Sequence, residues 1–290
     1  MLVKSPTAQG LLCGVGAALC WAVGFVAARQ GINDGMSPLA IALHRFIWPG
    51  LVLLPLVARR GFADLASVGW RRGIMLTLVG GLPQAILSYA GFLFVPLGHG
   101  GVIQPSTASL CGLVLAALVI KEPLPLRRVA GAFAIVLGLC VIGAEALRTM
   151  GTQGLIGDFM FVAAGCSFAT FGMLLRLWRI APMPAVAVTG VYSLAGLPLL
   201  LFSIDNAVQV GFLENLLQAL VQGILVGPVA IYLFTRAVVL VGASRAAVFP
   251  SLVPPSTLLI GFLALGDVPS VSQLVGLVIV IVGFRLTQQV

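Results

Sequence analysis

The residues able to do chemistry are few, because 290 residues hold only 16 basic, eight acidic and two histidine side chains. His44 and Arg45 lie about seven residues into an apolar run that starts at Pro38, hence about 10 Å from its end. Ionisable residues inside a membrane span are costly and stand as functional candidates. Arg45 could attract a substrate carboxylate or gate the outer mouth, and its structural reading is an ion pair with Asp158. His44 could carry a proton, and its structural reading is a hydrogen-bonded imidazole. Uncharged polar residues gather near prolines that interrupt apolar runs, where a freed backbone carbonyl and a kink open the helix to a cavity. Pro83 is followed by Gln84, Ser88 and Tyr89, and Gln84 and Ser88 share a helix face by their i,i+4 spacing. Gln104, Pro105, Ser106 and Thr107 form a second cluster; Tyr232 follows Pro228, and Phe249-Pro250-Ser251 forms a third. Trp21 and Phe168 occupy matching places in two further runs. Together these residues describe a cavity with aromatic walls and a few amide and hydroxyl groups, suited to an amino-acid head group with an apolar or aromatic side chain. Each also has a packing reading, since aromatic residues anchor helices at interfaces and Ser and Thr bond their own backbone.

Other chemistries find little support. There is no HExxH, no GxSxG, no intramembrane Asp pair, and the two histidines are far apart, so an enzyme is not expected. No phosphate-binding loop is present, and no metal or other cofactor is expected. The five cysteines (Cys13, Cys20, Cys111, Cys140 and Cys166) lie in apolar runs without CxxC spacing and read as small apolar fillers. Glu122 and Asp267 sit at helix ends, where each could cap the helix that follows.

These side chains need a membrane scaffold to position them. The chain is 60% hydrophobic and 8% charged, with a mean hydropathy of +1.14. Soluble domains carry about 25% charged residues, so a soluble globule is excluded, and disorder is excluded by the apolar content. The net charge of +8 would raise nucleic acid as a partner in a soluble protein. Here it reads as topology, and the expected partners are the lipid bilayer and a small-molecule substrate. Continuous rather than alternating apolar runs argue against a barrel. They give an all-α integral membrane protein of ten transmembrane helices: Gly10–Ala28, Pro38–Ala58, Gly73–Phe94, Gly101–Ile120, Val129–Ala146, Gly154–Leu175, Pro184–Ser203, Leu216–Thr235, Ala246–Leu265 and Val271–Leu286. The first is long enough to span and lacks a clear cleavage site, so it reads as a helix rather than a signal peptide. With every second loop on one side, that side holds Lys4, Arg59, Arg60, Arg71, Arg72, Lys121, Arg127, Arg128, Arg176, Arg179, Arg236, Arg245 and Arg285. Only Arg29 and Arg148 lie on the other. Both termini are therefore expected in the cytoplasm of a cell whose inner membrane holds the protein.

The halves repeat at an offset of about 145 residues. Pro83-Gln84-Ala85-Ile86 matches Pro228-Val229-Ala230-Ile231, Pro105-Ser106 matches Pro250-Ser251, and Gly131 and Gly138 match Gly276 and Gly283. Five helices per half is an odd number, so the halves 1–147 and 148–290 are expected to be inverted repeats, an arrangement of secondary transporters with the substrate site between the halves.

The chain resembles the EamA-type branch of the drug/metabolite transporter superfamily. The resemblance rests on Leu19-Cys20-Trp21-Ala22, Arg45-Phe46, Lys121-Glu122-Pro123 and Gly266-Asp267-Val268-Pro269, and covers essentially the whole chain. Within that superfamily it is most similar to bacterial amino-acid exporters, including aromatic amino-acid exporters of the YddG type. The resemblance implies export of a small metabolite by alternating access. Sugar-phosphate or nucleotide-sugar exchange would want several cavity cations, and only Arg45 is deep; a channel would want a ring of repeated filter residues, and none is visible.

Overall fold

The structure is a computed structural model and describes residues 6–61, 67–121, 123–241, 246 and 249–288. Every element among the described residues is helical. A short turn joins helix α1 (Pro6–Asn33) to α2 (Pro38–Arg60), whose N-terminus is capped by the Ser37 hydroxyl, which accepts from the Ala40 N–H. Pro38 at the first helical position loses only an N–H that would have no intrahelical partner.

The third expected span is broken. It forms α3 (Trp70–Gly80) and α4 (Leu82–Gly91), joined at Gly81, where the backbone leaves helical geometry (φ −104°, ψ −146°). Pro83, second residue of α4, lacks the N–H that would carry the ladder across the break. Helix α5 (Leu97–Val119) follows. The fifth and sixth expected spans fuse into α6 (Leu126–Trp178), 53 residues long. A straight helix of that length would measure about 80 Å against a hydrocarbon core of about 30 Å. It turns back at Gly151, whose φ of 65° suits glycine, leaving a first arm (126–150) and a second arm (152–178).

The seventh expected span is α7 (Pro182–Ser193) continued by a 3₁₀ stretch (Leu194–Phe202). The short helices α8 (Ile204–Val210) and α9 (Phe212–Gln218) lead into a π-helical segment (Ala219–Val229) containing Pro228, and then into α10 (Ala230–Val241). A 3₁₀ turn (Phe249–Leu252) starts α11 (Val253–Leu265), and α12 (Val271–Gln288) ends the described chain. Ser270 caps α12 in place of the expected Asp267: its hydroxyl accepts from Gln273 N–H at 3.0 Å while Gln273 Oε1 accepts from Ser270 N–H at 3.4 Å, a reciprocal capping box. The Glu122 expectation lies outside the described residues.

Seven helices among the described residues are long and apolar enough to cross a membrane, α6 counted once, and two shorter apolar helices end the chain. The closest seams are made by glycine. A Cβ on Gly131 would meet the Gly283 carbonyl at 2.7 Å, and one on Gly138 would meet the Gly276 carbonyl at 2.7 Å, so the first arm of α6 and α12 touch backbone to backbone. Such approach is what small residues provide where lipid removes the hydrophobic drive between helices.

Candidate functional site: a polar junction between broken helices

The two backbone irregularities, the Gly81 break and the π segment, bring a polar junction into the helix bundle. Gln222, 1% exposed, is its centre. Its amide nitrogen donates to the Gly24 carbonyl of α1 at 2.8 Å, and its side-chain oxygen accepts from the Tyr89 hydroxyl of α4 at 2.9 Å. Its backbone carbonyl accepts from Arg45 Nη1 of α2 at 3.1 Å. One glutamine thus joins α1, α2, α4 and the π segment. One turn earlier, buried Gln218 donates to the Ala27 carbonyl at 2.6 Å and to Glu214 Oε1 at 2.7 Å. Arg45 uses one guanidinium N–H on the protein, stacks its cation 5.8 Å from the Phe46 ring centroid, and leaves its other donors free.

The neighbouring polar residues join the same region through α4. Ser88 donates to Gln104 Oε1 of α5 at 2.5 Å, and Gln84 Nε2 lies 3.5 Å from the Ala164 carbonyl in the second arm of α6. Ser106 and Thr107 of α5 are buried with unpartnered hydroxyls, as is Thr257 of α11. Of the residues expected in a cavity, Gln84, Ser88, Tyr89 and Gln104 therefore cluster on facing helices. Trp21 is half-buried on α1, 5.6 Å from the Phe234 ring of α10 and one turn before Gly24.

The remaining aromatic residues divide. Phe249 is buried against Gly14, closing α1 onto the turn before α11, and Ser251 lies in that turn, half-buried. Tyr232 (56% exposed) and Phe168 (48% exposed, stacked on Phe171) are not enclosed by the protein.

The expected Arg45–Asp158 pair does not form. Asp158 Oδ1 lies 2.9 Å from His99 Nδ1, while Arg45 faces the π segment. Similar depth in the membrane did not place the two on facing sides of their helices. His44 has a fixed role. The Trp48 indole, a donor only, reaches His44 Nδ1 at 2.9 Å, so the imidazole is neutral and its Nε2–H donates to Asn215 Oδ1 at 3.1 Å. That bond ties α2 to α9.

Five contributors were missed in the sequence. Gln218 and Gln222 had a signal, two amides at i,i+4 in an apolar run. Asn215 lies just before that run. His99 was hidden because the fourth span was expected to start at Gly101, which put it in a loop. Arg29, placed in a loop because the first span was expected to end at Ala28, donates from α1 to the Phe92 carbonyl at 2.6 Å.

The junction sets one deep cation with free donors beside amide and hydroxyl groups and the Phe46 ring. A model described as the EamA-like transporter family matches the chain twice, over residues 8–144 and 155–288. A relative from Archaeoglobus fulgidus, described as an uncharacterized transporter, is 25% identical over 276 residues, 93% of each chain. A crystal structure 17% identical in sequence has a TM-score of 0.63 and covers 96% of both chains, a likeness of fold alone. The chain belongs to the EamA-like transporter family of the drug/metabolite transporter superfamily, multi-pass membrane proteins that carry small molecules.

Proposed function

We propose that the chain is a secondary transporter that exports small metabolites across the inner membrane, foremost amino acids with apolar or aromatic side chains, by alternating access around the Gln222 junction. The observation that carries this reading is Arg45. It is a deep cation with unused donors, beside Tyr89 and amide groups and within a wall of apolar and aromatic residues. A carboxylate is the complementary group, and a single cation suits one carboxylate better than a phosphoryl group.

Counting the arms of α6 separately, and adding the two shorter apolar helices, makes ten crossings. The sorted basic residues favour cytoplasmic termini. The inverted repeat draws support from contacts as well as from the double family match. Gly131 meets Gly283 and Gly138 meets Gly276, while the sequence aligns Gly131 with Gly276 and Gly138 with Gly283. A pseudo-two-fold axis exchanges those contacts, as in an isologous interface. The breaks recur too, at Gly81 before Pro83 and in the π segment around Pro228. Repeat-related discontinuous helices are where such transporters place substrate.

The test is a panel of radiolabelled amino acids with purified protein in liposomes. Saturable flux with counterflow is expected, and Arg45→Gln is expected to weaken binding of the carboxylate-bearing substrates. Non-saturating flux would indicate a pore, and transport of phosphorylated sugars in preference to amino acids would favour an exchanger of that class.

A further inference from the structure

We propose that the buried His99–Asp158 pair is a proton-binding site, reached through an acidic pocket at its own end of the bundle, that couples transport to a pH gradient. The proposal rests on the transporter reading above. His99, on the first turn of α5, is 0% exposed, and Asp158, on the second arm of α6, is 6% exposed. They are joined at 2.9 Å, and each keeps one buried polar atom without a partner: His99 Nε2 and Asp158 Oδ2.

Those atoms are the two places where a proton can go. With neutral His99 donating Nδ1–H to ionised Asp158, the pair carries one uncompensated negative charge. Isolated buried charge is expensive. One proton, on His99 Nε2 as imidazolium or on Asp158 Oδ2 as carboxylic acid, makes the pair neutral. Loss of that proton to water requires hydration of the charge left behind. Proton occupancy is thereby linked to the packed arrangement of α5 against the second arm of α6. In the repeat reading these helices belong to opposite halves and separate during the cycle.

The charged and polar groups nearest the pair come from α1, the first arm of α6, the α11–α12 turn and α12. From α1, Arg29 donates to the carbonyls of Phe92 and Val95. From the first arm of α6, Glu145 accepts from the Ser270 hydroxyl at 2.7 Å, and Arg148 is exposed. From the α11–α12 turn, Asp267 keeps a buried, unpartnered Oδ2, while Gln273 of α12, packed against Gly98, is neutral. None of these groups bonds to the pair.

The route is marked by a cavity of about 210 Å³ lined by Leu97, Gly98, Glu145, Asp267, Ser270 and Gln273. Gly98 precedes His99. Glu145 lies two residues after Gly143, at which a Cβ would be 3.8 Å from Asp158 Oδ2. The cavity is thus lined by near sequence neighbours of His99 on α5 and of Gly143 on the first arm of α6, and it carries two carboxylates.

The test uses the full chain in liposomes, with radiolabelled phenylalanine and leucine as probes. For one proton exchanged per neutral amino acid, a one-unit pH difference supports up to about a tenfold substrate gradient, since both represent the same free energy. Wild type is expected to build such a gradient. His99→Asn and Asp158→Asn are expected to lose it while keeping counterflow, and Asp158→Glu is expected to keep it with a displaced pH profile. A gradient-insensitive wild type, or full drive in both variants, overturns the proposal. If a neutral variant does not fold, wild type and Asp158→Glu decide between these outcomes. A readout independent of substrate is magnetic resonance of ring-labelled histidine. There are two histidines, and His44→Asn assigns their signals. If neither amino acid moves, an Asp158-dependent protonation of His99 keeps the proton site while the substrate reading fails; a His99 ring unchanged across pH overturns the site itself.

Discussion

Breaking the Tyr89–Gln222 contact offers the most quantitative test of the junction. Tyr89→Phe deletes the hydroxyl and leaves Gln222 Oε1 without its donor; Gln222→Leu deletes the acceptor and the second bond to the Gly24 carbonyl at 2.8 Å. Interhelical hydrogen bonds in membranes contribute about 0.6 kcal/mol on average and about 1.7 at most. Two bonds centred on a residue 1% exposed place Gln222→Leu at about 1–3 kcal/mol. Tyr89→Phe removes one bond and costs about 0.6–1.7 kcal/mol. The double variant is expected to cost less than the sum, with a coupling of about 0.6–1.7 kcal/mol, because the second change finds the contact already gone. Reversible unfolding in mixed micelles measures each corner of the cycle. The same energy shifts a two-state conformational equilibrium about threefold to about twentyfold. The ratio of inward- to outward-accessible protein, read by labelling of single introduced cysteines, is thus expected to move with stability. Additive costs, with coupling under about 0.3 kcal/mol, would refute the contact and the junction with it.

Three further outcomes are expected. Trp21→Ala and Gln84→Ala each reduce transport in liposomes while leaving elution in detergent unchanged; full activity in both would remove the proposed cavity. Gly138→Leu places a branched side chain against the Gly276 carbonyl and costs at least about 1–3 kcal/mol by overpacking, seen as a lowered unfolding temperature; an unchanged temperature would deny the seam. Reporter fusions are expected to put both termini in the cytoplasm, and an external C-terminus would end the ten-crossing reading.

Apolar run length made the helical spans legible, and proline marked the two interruptions at Pro83 and Pro228, though not whether each would become a break or a π segment. That choice depends on neighbours, as at Gly81, where Pro83 and glycine act together. The polar cluster of Gln84, Ser88, Tyr89 and Gln104 was legible because each is conspicuous in an apolar run. Azimuth was not. Arg45 and Asp158 have similar depths, yet one faces the π segment and the other His99. Phe168 and Tyr232 show the same limit, since an aromatic residue in a span gives no sign of whether its face meets protein or lies open. The Ser270–Gln273 box was readable from its spacing, but Asp267 drew attention first by its charge.

The seam between Gly131, Gly138, Gly276 and Gly283 has a consequence for how such a chain arises. Under the inverted repeat proposed above, a half-length chain with one copy of this helix would carry both sides of the contact and would need only a second copy inserted upside down to pair with. Joining the copies would replace that encounter, which depends on abundance in the bilayer, with a fixed local concentration. The turn at Gly151 would then mark the junction between the copies, and the positive charge that orients each half would be free to diverge between them.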